Sequence, residues 1–443
     1  MTERMLRMTA WMYSFLLFIL FPWLMLDSLR RFFRAPKHQR VLFAQFGRLP
    51  ADVPSGGIWL HAVSLGEVRA AAALITALQR RWPNLPLVVS TTTETGANAA
   101  RELGVPHFYA PFDYAFAQRA ALHRLLPRLM IVMETELWPN LIRLSAQMNV
   151  PVAVVNARLS DQSSGRYQRW GGALLRETLA RLTLICAQSA VDRDRFVALA
   201  PPVMTVQILD CGNVKFDLAE RAVAPWSVGA RPVWLAASTH EGEEALLLEA
   251  HGALLALHPQ ALLVLAPRHP ERASAVRALI AARGLVAQQF SHTRSGGAVE
   301  VATQVLLIDQ TGQLMRFFSA IAVIFMGGSL VRTGGHNPIE PALFRRAVLS
   351  GPRVRNFRAV YRELAANDAV HFVGDAVDVA TAVQSAWAQP THWSAMGARA
   401  YAVVQANRGA TQRIVDALAP ILDDVRVVSS TKLKSNEKDG DAG

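Results

Sequence analysis

Short apolar runs alternate with amphipathic stretches along most of the chain, and that alternation predicts parallel βα units. Residues 58–63, 87–90, 129–133, 152–155 and 182–187 are apolar at nearly every position, the pattern of strands buried on both faces. Between them, residues 68–82 and 95–103 read as helices. The series breaks over residues 218–232 and resumes with strands at 233–237, 262–266, 305–308, 320–326 and 347–350. Two similar α/β domains are the simplest architecture, spanning residues 37–217 and 232–427 with a linker at 218–231. Doubly wound domains that face each other set their strand ends along one cleft, so functional side chains are expected in the loops that follow strands. From residue 428 the chain is Ser, Thr, Lys, Asp and Gly with little that is apolar, which predicts a disordered tail.

Ahead of the first domain, residues 9–26 carry no charge and are rich in Leu, Phe, Trp and Met, about the length that crosses a bilayer. Arg4 and Arg7 precede this run, and Arg30, Arg31, Arg34, Lys37 and Arg40 follow it, a bias that favours a cytoplasmic body. A secretory signal would end in small residues, whereas Asp27 and an arginine cluster stand here. Residues 1–36 are therefore expected to form a retained membrane anchor with a basic flank that meets acidic headgroups. Pro22 leaves open a segment that lies in the interface instead of spanning it.

The 443 residues are too many for one core, and 51% hydrophobic with 18% charged residues excludes global disorder. A net charge of +12 means attraction to an anion, and nucleic acid, acidic lipid and phosphorylated sugar all qualify. Cys186 and Cys211 sit in apolar settings, which fits a reducing compartment, and the twelve histidines show no ligand spacing, so no metal site is expected.

Chemistry concentrates in a few loops. Phe325-Met-Gly-Gly-Ser-Leu-Val-Arg-Thr-Gly-Gly-His-Asn-Pro-Ile-Glu-Pro341 reads as a strand that breaks into a glycine loop and re-forms as a helix, an arrangement that holds phosphate. Gly327, Gly328 and Ser329 form the loop, Asn337 caps the helix with Pro338 at its first position, and Glu340 is placed for sugar hydroxyls. His61-Ala-Val-Ser-Leu-Gly-Glu-Val68 puts Glu67 either in a cleft-facing loop or in a capping box with Ser64. Met133-Glu-Thr-Glu-Leu-Trp-Pro-Asn140 sets two carboxylates at a strand end, with Glu134 the better cleft candidate and an ion pair to Arg158 or Lys215 the alternative. Ser238, with Thr239, offers hydroxyls to a phosphate, while Glu241 completes another capping box with Ser238. Arg268 and Lys215 are the donor-binding candidates that would set permanent positive charge beside an anionic donor, with surface ion pairs the alternative.

These segments together resemble the Kdo transferases, membrane-associated glycosyltransferases of Gram-negative lipopolysaccharide synthesis. The resemblance is carried in order by HAVSLGEV from His61, STTTETG from Ser90, ETELWPN from Glu134, NARLS from Asn156, GNVKFD from Gly212, AASTHEGEE from Ala236, PRHPER from Pro267 and MGGSLVRTGGHNPIEPA from Met326. It implies a GT-B fold at the cytoplasmic face of the bacterial inner membrane. It also implies inverting transfer of 3-deoxy-D-manno-oct-2-ulosonic acid (Kdo) from CMP-Kdo to a lipid A precursor (lipid IVA), with no cofactor, no metal ion at the transfer step and no nucleic-acid partner. By the same resemblance Glu67 is the general base and Glu134 the second functional acid. Arg268, the Gly327-Gly328-Ser329 loop and Asn337 to Glu340 fall on the nucleotide side, Glu340 as the ribose-binding acid. The chain departs from the family pattern at Gln313, where a glutamate is usual, and over Ala44-Gln-Phe-Gly47, which replaces a more charged version. A nucleotide-sugar epimerase of the same shape and a tethered binding protein without catalysis are the competing readings.

Overall fold

The computed structural model describes residues 12–19, 21–23, 26, 38–159, 172–201, 206–218, 223–224, 226–227, 229, 231–293 and 298–435. The chain divides into two units, Met1–Asp217 with Arg408–Gly443, and Leu218–Asn407. The first holds a seven-stranded sheet of β1 (Ile58–His61), β2 (Leu87–Thr91), β3 (His107–Tyr109), β4 (Leu129–Met133), β5 (Val152–Ala157), β6 (Leu184–Ala187) and β7 (Gln207–Asp210). Its order is β3-β2-β1-β4-β5-β6-β7, with every pairing parallel. The second unit's sheet comprises β8 (Val233–Thr239), β9 (Leu262–Pro267), β10 (Ala287–Gln289), β11 (Val305–Leu307), β12 (Val323–Met326), β13 (Ala347–Ser350) and β14 (His371–Phe372). It runs β10-β11-β9-β8-β12-β13-β14, again parallel. Strand order reverses between β1 and β4 in the first sheet and between β8 and β12 in the second. Those are the points where loops part to opposite faces and leave a crevice.

Five helices bear on the site: α1 (Leu65–Arg81), α2 (Pro139–Gln147), α3 (Glu243–Leu257), α4 (Ile339–Leu343) and α5 (Ala410–Ser435). Alternation along β1 explains the layering, since Ile58 and Leu60 enter one core and Trp59 the other. Val68, Ala71, Leu74 and Leu78 of α1 cover the first face, while Leu141, Ile142 and Leu144 of α2 cover the second. Each buried Leu contributes roughly 1.5–3 kcal/mol of transfer free energy.

The sequence reading assigns residues up to 427 to the second domain, but from Arg408 onward the chain belongs to the first unit. Ile414, Leu418 and Leu422 of α5 enter the same core as Leu74 and Leu78. Asp217 seats the start of this helix, accepting N–H bonds from Gly409 at 2.7 Å and Thr411 at 2.5 Å. At the other end Trp82 donates its indole N–H to Asp423 at 3.2 Å. Helical spacing reveals an apolar stripe and leaves open which sheet covers it. Residues 428–435, read as tail, continue α5, because extending a nucleated helix gains a hydrogen bond for each residue ordered.

Much of the expected anchor lies outside the described residues. Among those described, no helix is long and apolar enough to cross a membrane. Residues 12–19 are helical. One side of this helix is tied to the first unit, through Tyr13 to Asp113 at 3.0 Å, Ser14 to Asn140 at 3.2 Å, and the Leu17 carbonyl, which accepts from Tyr114 at 3.0 Å. The other side exposes Met12, Phe15, Leu16, Phe18 and Ile19.

Truncating Leu418 to Ala is expected to cost about 2–5 kcal/mol, and Asp217→Ala about 1–2 kcal/mol through the lost cap. Urea unfolding followed by circular dichroism checks both, and the transition of the first unit is the one that should move.

Candidate active site

In the first unit the functional residues stand at the carboxyl ends of β1, β4 and β5. Ser64 caps α1, and its hydroxyl donates to Oε1 of Glu67 at 2.9 Å while accepting the Glu67 N–H at 3.4 Å. Oε2 of Glu67 accepts the Val63 N–H at 2.9 Å, so the box closes one residue earlier than a simple capping reading has it. The carboxylate is thus oriented by the cap, and the residue still keeps 9% of its surface open. The two readings of Glu67 coexist. Burial, reinforced by Glu136, pushes its pKa up to about 7, against the opposing bond from Ser64. Glu134 adds to the rise and the Val63 N–H opposes it.

Glu136 is also raised by burial, partly offset by the Trp138 indole N–H, which donates to it at 2.9 Å. Trp138 in turn packs edge-on against His61 with centroids 4.5 Å apart. Buried His61 is held neutral, its pKa lowered to about 3 by desolvation.

Glu134 stands one residue past β4 with φ of +52°. It takes both ion pairs that were its alternative reading, to Arg158 Nε at 3.0 Å and Lys215 Nζ at 3.1 Å. Both of its carboxylate oxygens are engaged by cations. Asn156 also adopts left-handed backbone, φ +53°, where the register of β5 shifts. Its Oδ1 accepts the Val214 N–H at 3.1 Å, its carbonyl accepts from Gln188 at 2.9 Å, and Gln188 accepts from Asn213 at 3.2 Å. This network shapes the turn that carries Lys215 and so assembles Lys215 with Glu134 within the first unit. Non-glycine residues held in this backbone region cost roughly 1–3 kcal/mol each and persist only where the surrounding structure fixes them.

In the second unit the ends of β8, β9 and β12 gather the rest. Ser238 has φ of +56° at a register shift in β8, and the Thr239 hydroxyl, expected to face a phosphate, donates instead to Glu244 at 3.2 Å. Glu244 pairs with Arg272 at 2.7 Å. Glu241 is exposed, and the carboxylate that closes the turn is Glu243, which accepts the His240 N–H at 3.0 Å. Gly327 has no room for a side chain, since a Cβ there would stand 2.5 Å from the Ser238 carbonyl oxygen.

The loop amides expected to cradle phosphate are occupied from within. Gly328 and Ser329 donate their N–H groups to Glu243 at 2.6 and 2.9 Å, and Gly327 donates to the Ala237 carbonyl at 2.8 Å. The Ser329 hydroxyl is buried and donates to the Met326 carbonyl at 2.6 Å. Asn337 does bond the helix start, accepting the Ile339 N–H at 3.1 Å and donating to Glu340 at 3.4 Å. However, α4 has only five residues, which limits the dipole it presents. Arg268 is half-buried, and its backbone N–H is held by the Thr239 carbonyl at 2.9 Å.

Two histidines inside the quoted segments, neither named there as a site residue, complete this region. His240 and His336 stack at 5.0 Å, with their Nε2 atoms at hydrogen-bond distance, 2.8 Å apart. Burial lowers both, His336 to about 3, with His240 and Arg268 adding to its shift, so the pair is neutral at physiological pH. Each lies within a quoted segment, but 96 residues separate them, and no local signal pairs them.

Residues 30–218 match the family described as 3-deoxy-D-manno-octulosonic-acid transferase (kdotransferase). The chain is 36% identical over 404 residues to the 3-deoxy-D-manno-octulosonic acid transferase of Haemophilus influenzae, covering 88% of this chain and 93% of that one. It is 37% identical over 397 residues to the protein of the same description from Bordetella pertussis, covering 85% and 90%. Among solved structures, UDP-GlcNAc 2-epimerase from Neisseria meningitidis matches with a TM-score of 0.54 at 15% identity, covering 82% of this chain and 100% of that one. A glycosyltransferase from Rickettsia africae matches with a TM-score of 0.51 at 11% identity, covering 83% and 99%. At such identity the likeness concerns the fold alone, two parallel-sheet α/β units of GT-B type.

Because the pKa of Glu67 rises from 4.5 to about 7 on folding, its stabilising contribution is complete below the lower value and is lost as pH climbs through the higher. Wild-type stability relative to Glu67→Gln should accordingly fall across that window. Carboxyl ¹³C titration should place the Glu67 midpoint well above that of an ordinary glutamate.

Proposed function

We propose that this chain, which belongs to the 3-deoxy-D-manno-octulosonic-acid transferase family, moves Kdo from CMP-Kdo to a lipid A precursor with inversion at the anomeric carbon. The observation that carries the mechanism is Glu67, a carboxylate aimed by Ser64 and Val63 with its pKa brought up to about 7. A base poised there is partly ionised at neutral pH and strong enough to take a proton from an attacking hydroxyl. In the transfer, the acceptor oxygen bonds to the anomeric carbon, its proton passes to Glu67, and the bond to the CMP phosphate breaks. The departing phosphate is already a good leaving group. Arg268 offsets the charge that develops on it.

Acceptor and base belong to the first unit in this reading, and the donor to the second. Glu134 holds Lys215 and Arg158 in place near Glu67, keeping positive charge for an anionic sugar or lipid phosphate. Ser238, Arg268, Asn337 and Glu340 contact the donor, Glu340 through ribose hydroxyls, while Gly327, Gly328, Ser329 and Thr239 shape the loops around it. The N-terminal segment brings this chemistry to the cytoplasmic face of the inner membrane. Its polar side grips the first unit while exposed Phe15, Phe18 and Ile19 meet lipid, which supports an element lying in the interface. The net charge of +12 draws the body to anionic headgroups.

Replacing Glu67 with Ala should reduce turnover by roughly 10²- to 10⁴-fold while CMP-Kdo binding persists. Radiolabel transfer to lipid IVA measures the first and calorimetry the second; near-normal turnover would remove Glu67 as the base. Deleting residues 1–26 should release the chain from anionic vesicles yet leave transfer to detergent-dispersed acceptor. Sedimentation with vesicles and the same transfer assay separate tethering from catalysis.

A further inference from the structure

Glu243 opens α3 at the carboxyl end of β8 and is fully buried. Its Oε1 accepts the N–H groups of Ser329 and Leu330, both at 2.9 Å, and its Oε2 accepts those of Gly328 at 2.6 Å and His240 at 3.0 Å. A carboxylate offers about four lone-pair sites, and all four are filled by main-chain donors. Capping its own helix does not account for this, because three of the donors lie 85 to 87 residues further along the chain. Three consecutive amides converge on one point because Gly328, at φ +70°, turns the backbone into a concave nest, the shape that receives anions.

The same loop then closes on itself. Gly334 and Gly335 both donate to the Gly328 carbonyl, at 2.9 and 2.7 Å, and His336 donates to the Gly327 carbonyl at 3.1 Å. That closure delivers His336 against His240 and sets Asn337 and Glu340 at the start of α4.

We infer that Glu243 is an internal anion occupying the nest of the glycine loop, and hence a positioning residue that fixes residues 327–337 for the donor. It also steers the donor phosphate away from the loop amides and toward side chains such as Arg268. The inference rests on the reading that the second unit binds CMP-Kdo, but its central claim about the nest can be tested without substrate.

The experiment uses the full-length Glu243→Ala protein with sodium formate, and sodium chloride at equal ionic strength as control. Removing the carboxylate leaves the three amides facing an empty, anion-shaped space. Amide exchange at residues 328–330 should accelerate at least about tenfold, and formate should restore protection and raise the melting temperature where chloride does not. In the transfer assay the donor KM should rise by about ten- to a hundredfold with kcat changed by less than about threefold, and formate should reverse the rise. Glu243→Gln, which turns an NH₂ group toward N–H donors, should not respond to formate. A folded Ala variant whose exchange and KM match wild type, or whose defects formate leaves untouched, overturns the inference.

Should the Ala variant not fold in either salt, Glu243→Asp decides. Faster exchange confined to residues 328–330 supports the internal anion, and uniform loss of protection across the second sheet refutes it. If wild-type protein fails to transfer Kdo while the exchange pattern and its rescue hold, the functional reading falls and the role of Glu243 stands.

Discussion

Reversal of strand order at the middle of each parallel sheet is the constraint on which the rest depends. Where β1 meets β4, and again where β8 meets β12, successive connections leave for opposite faces, so the ends of neighbouring strands stand open together. Glu67 follows the first of these strands and Glu134 the second; the loops of Ser238 and Gly327 follow the other pair. Apolar packing on both faces makes the strands rigid, and the rigidity lets short loops hold charged groups with little freedom. The strained backbone at Glu134, Asn156 and Ser238 is tolerated on that foundation, since each sits at the end of a strand buried along its whole length.

Three buried carboxylates show how one chemical group acquires different duties from its surroundings. Glu67 receives a hydroxyl and a single amide while two other carboxylates lie nearby, so its ionised form is poorly compensated. Glu134 is matched by two cations and becomes a fixed element of charge. Glu243 meets four amides and no cation among its bonded partners, and organises backbone. Position in the fold, more than residue type, separates a group suited to proton transfer from groups suited to holding structure.

The central strands were legible because burial on both faces writes a continuous apolar run. The edges were not. β3, β7, β10 and β14 pass unnoticed in the sequence, and all four close the ends of their sheets. His107-Phe-Tyr, Gln207-Ile-Leu-Asp, Ala287-Gln-Gln and His371-Phe are short and partly polar, as strands with one unpaired side tend to be. The same logic explains α5. Its stripe of Ile414, Leu418 and Leu422 announces a buried helix, but the surface that buries it belongs to residues some three hundred positions earlier.

From the sequence alone came the alternation of strand and helix, the two-part division, the loops that bear the chemistry and the family they resemble, because each is written in residues close together along the chain. Tertiary structure decided how each loop spends its hydrogen bonds. It gave the glycine amides to Glu243, the Thr239 hydroxyl to Glu244, and Lys215 to Glu134, and it joined His240 to His336. A motif specifies which donors and acceptors are present, but their partners are chosen by packing between distant segments, and only the folded chain brings those within bonding distance.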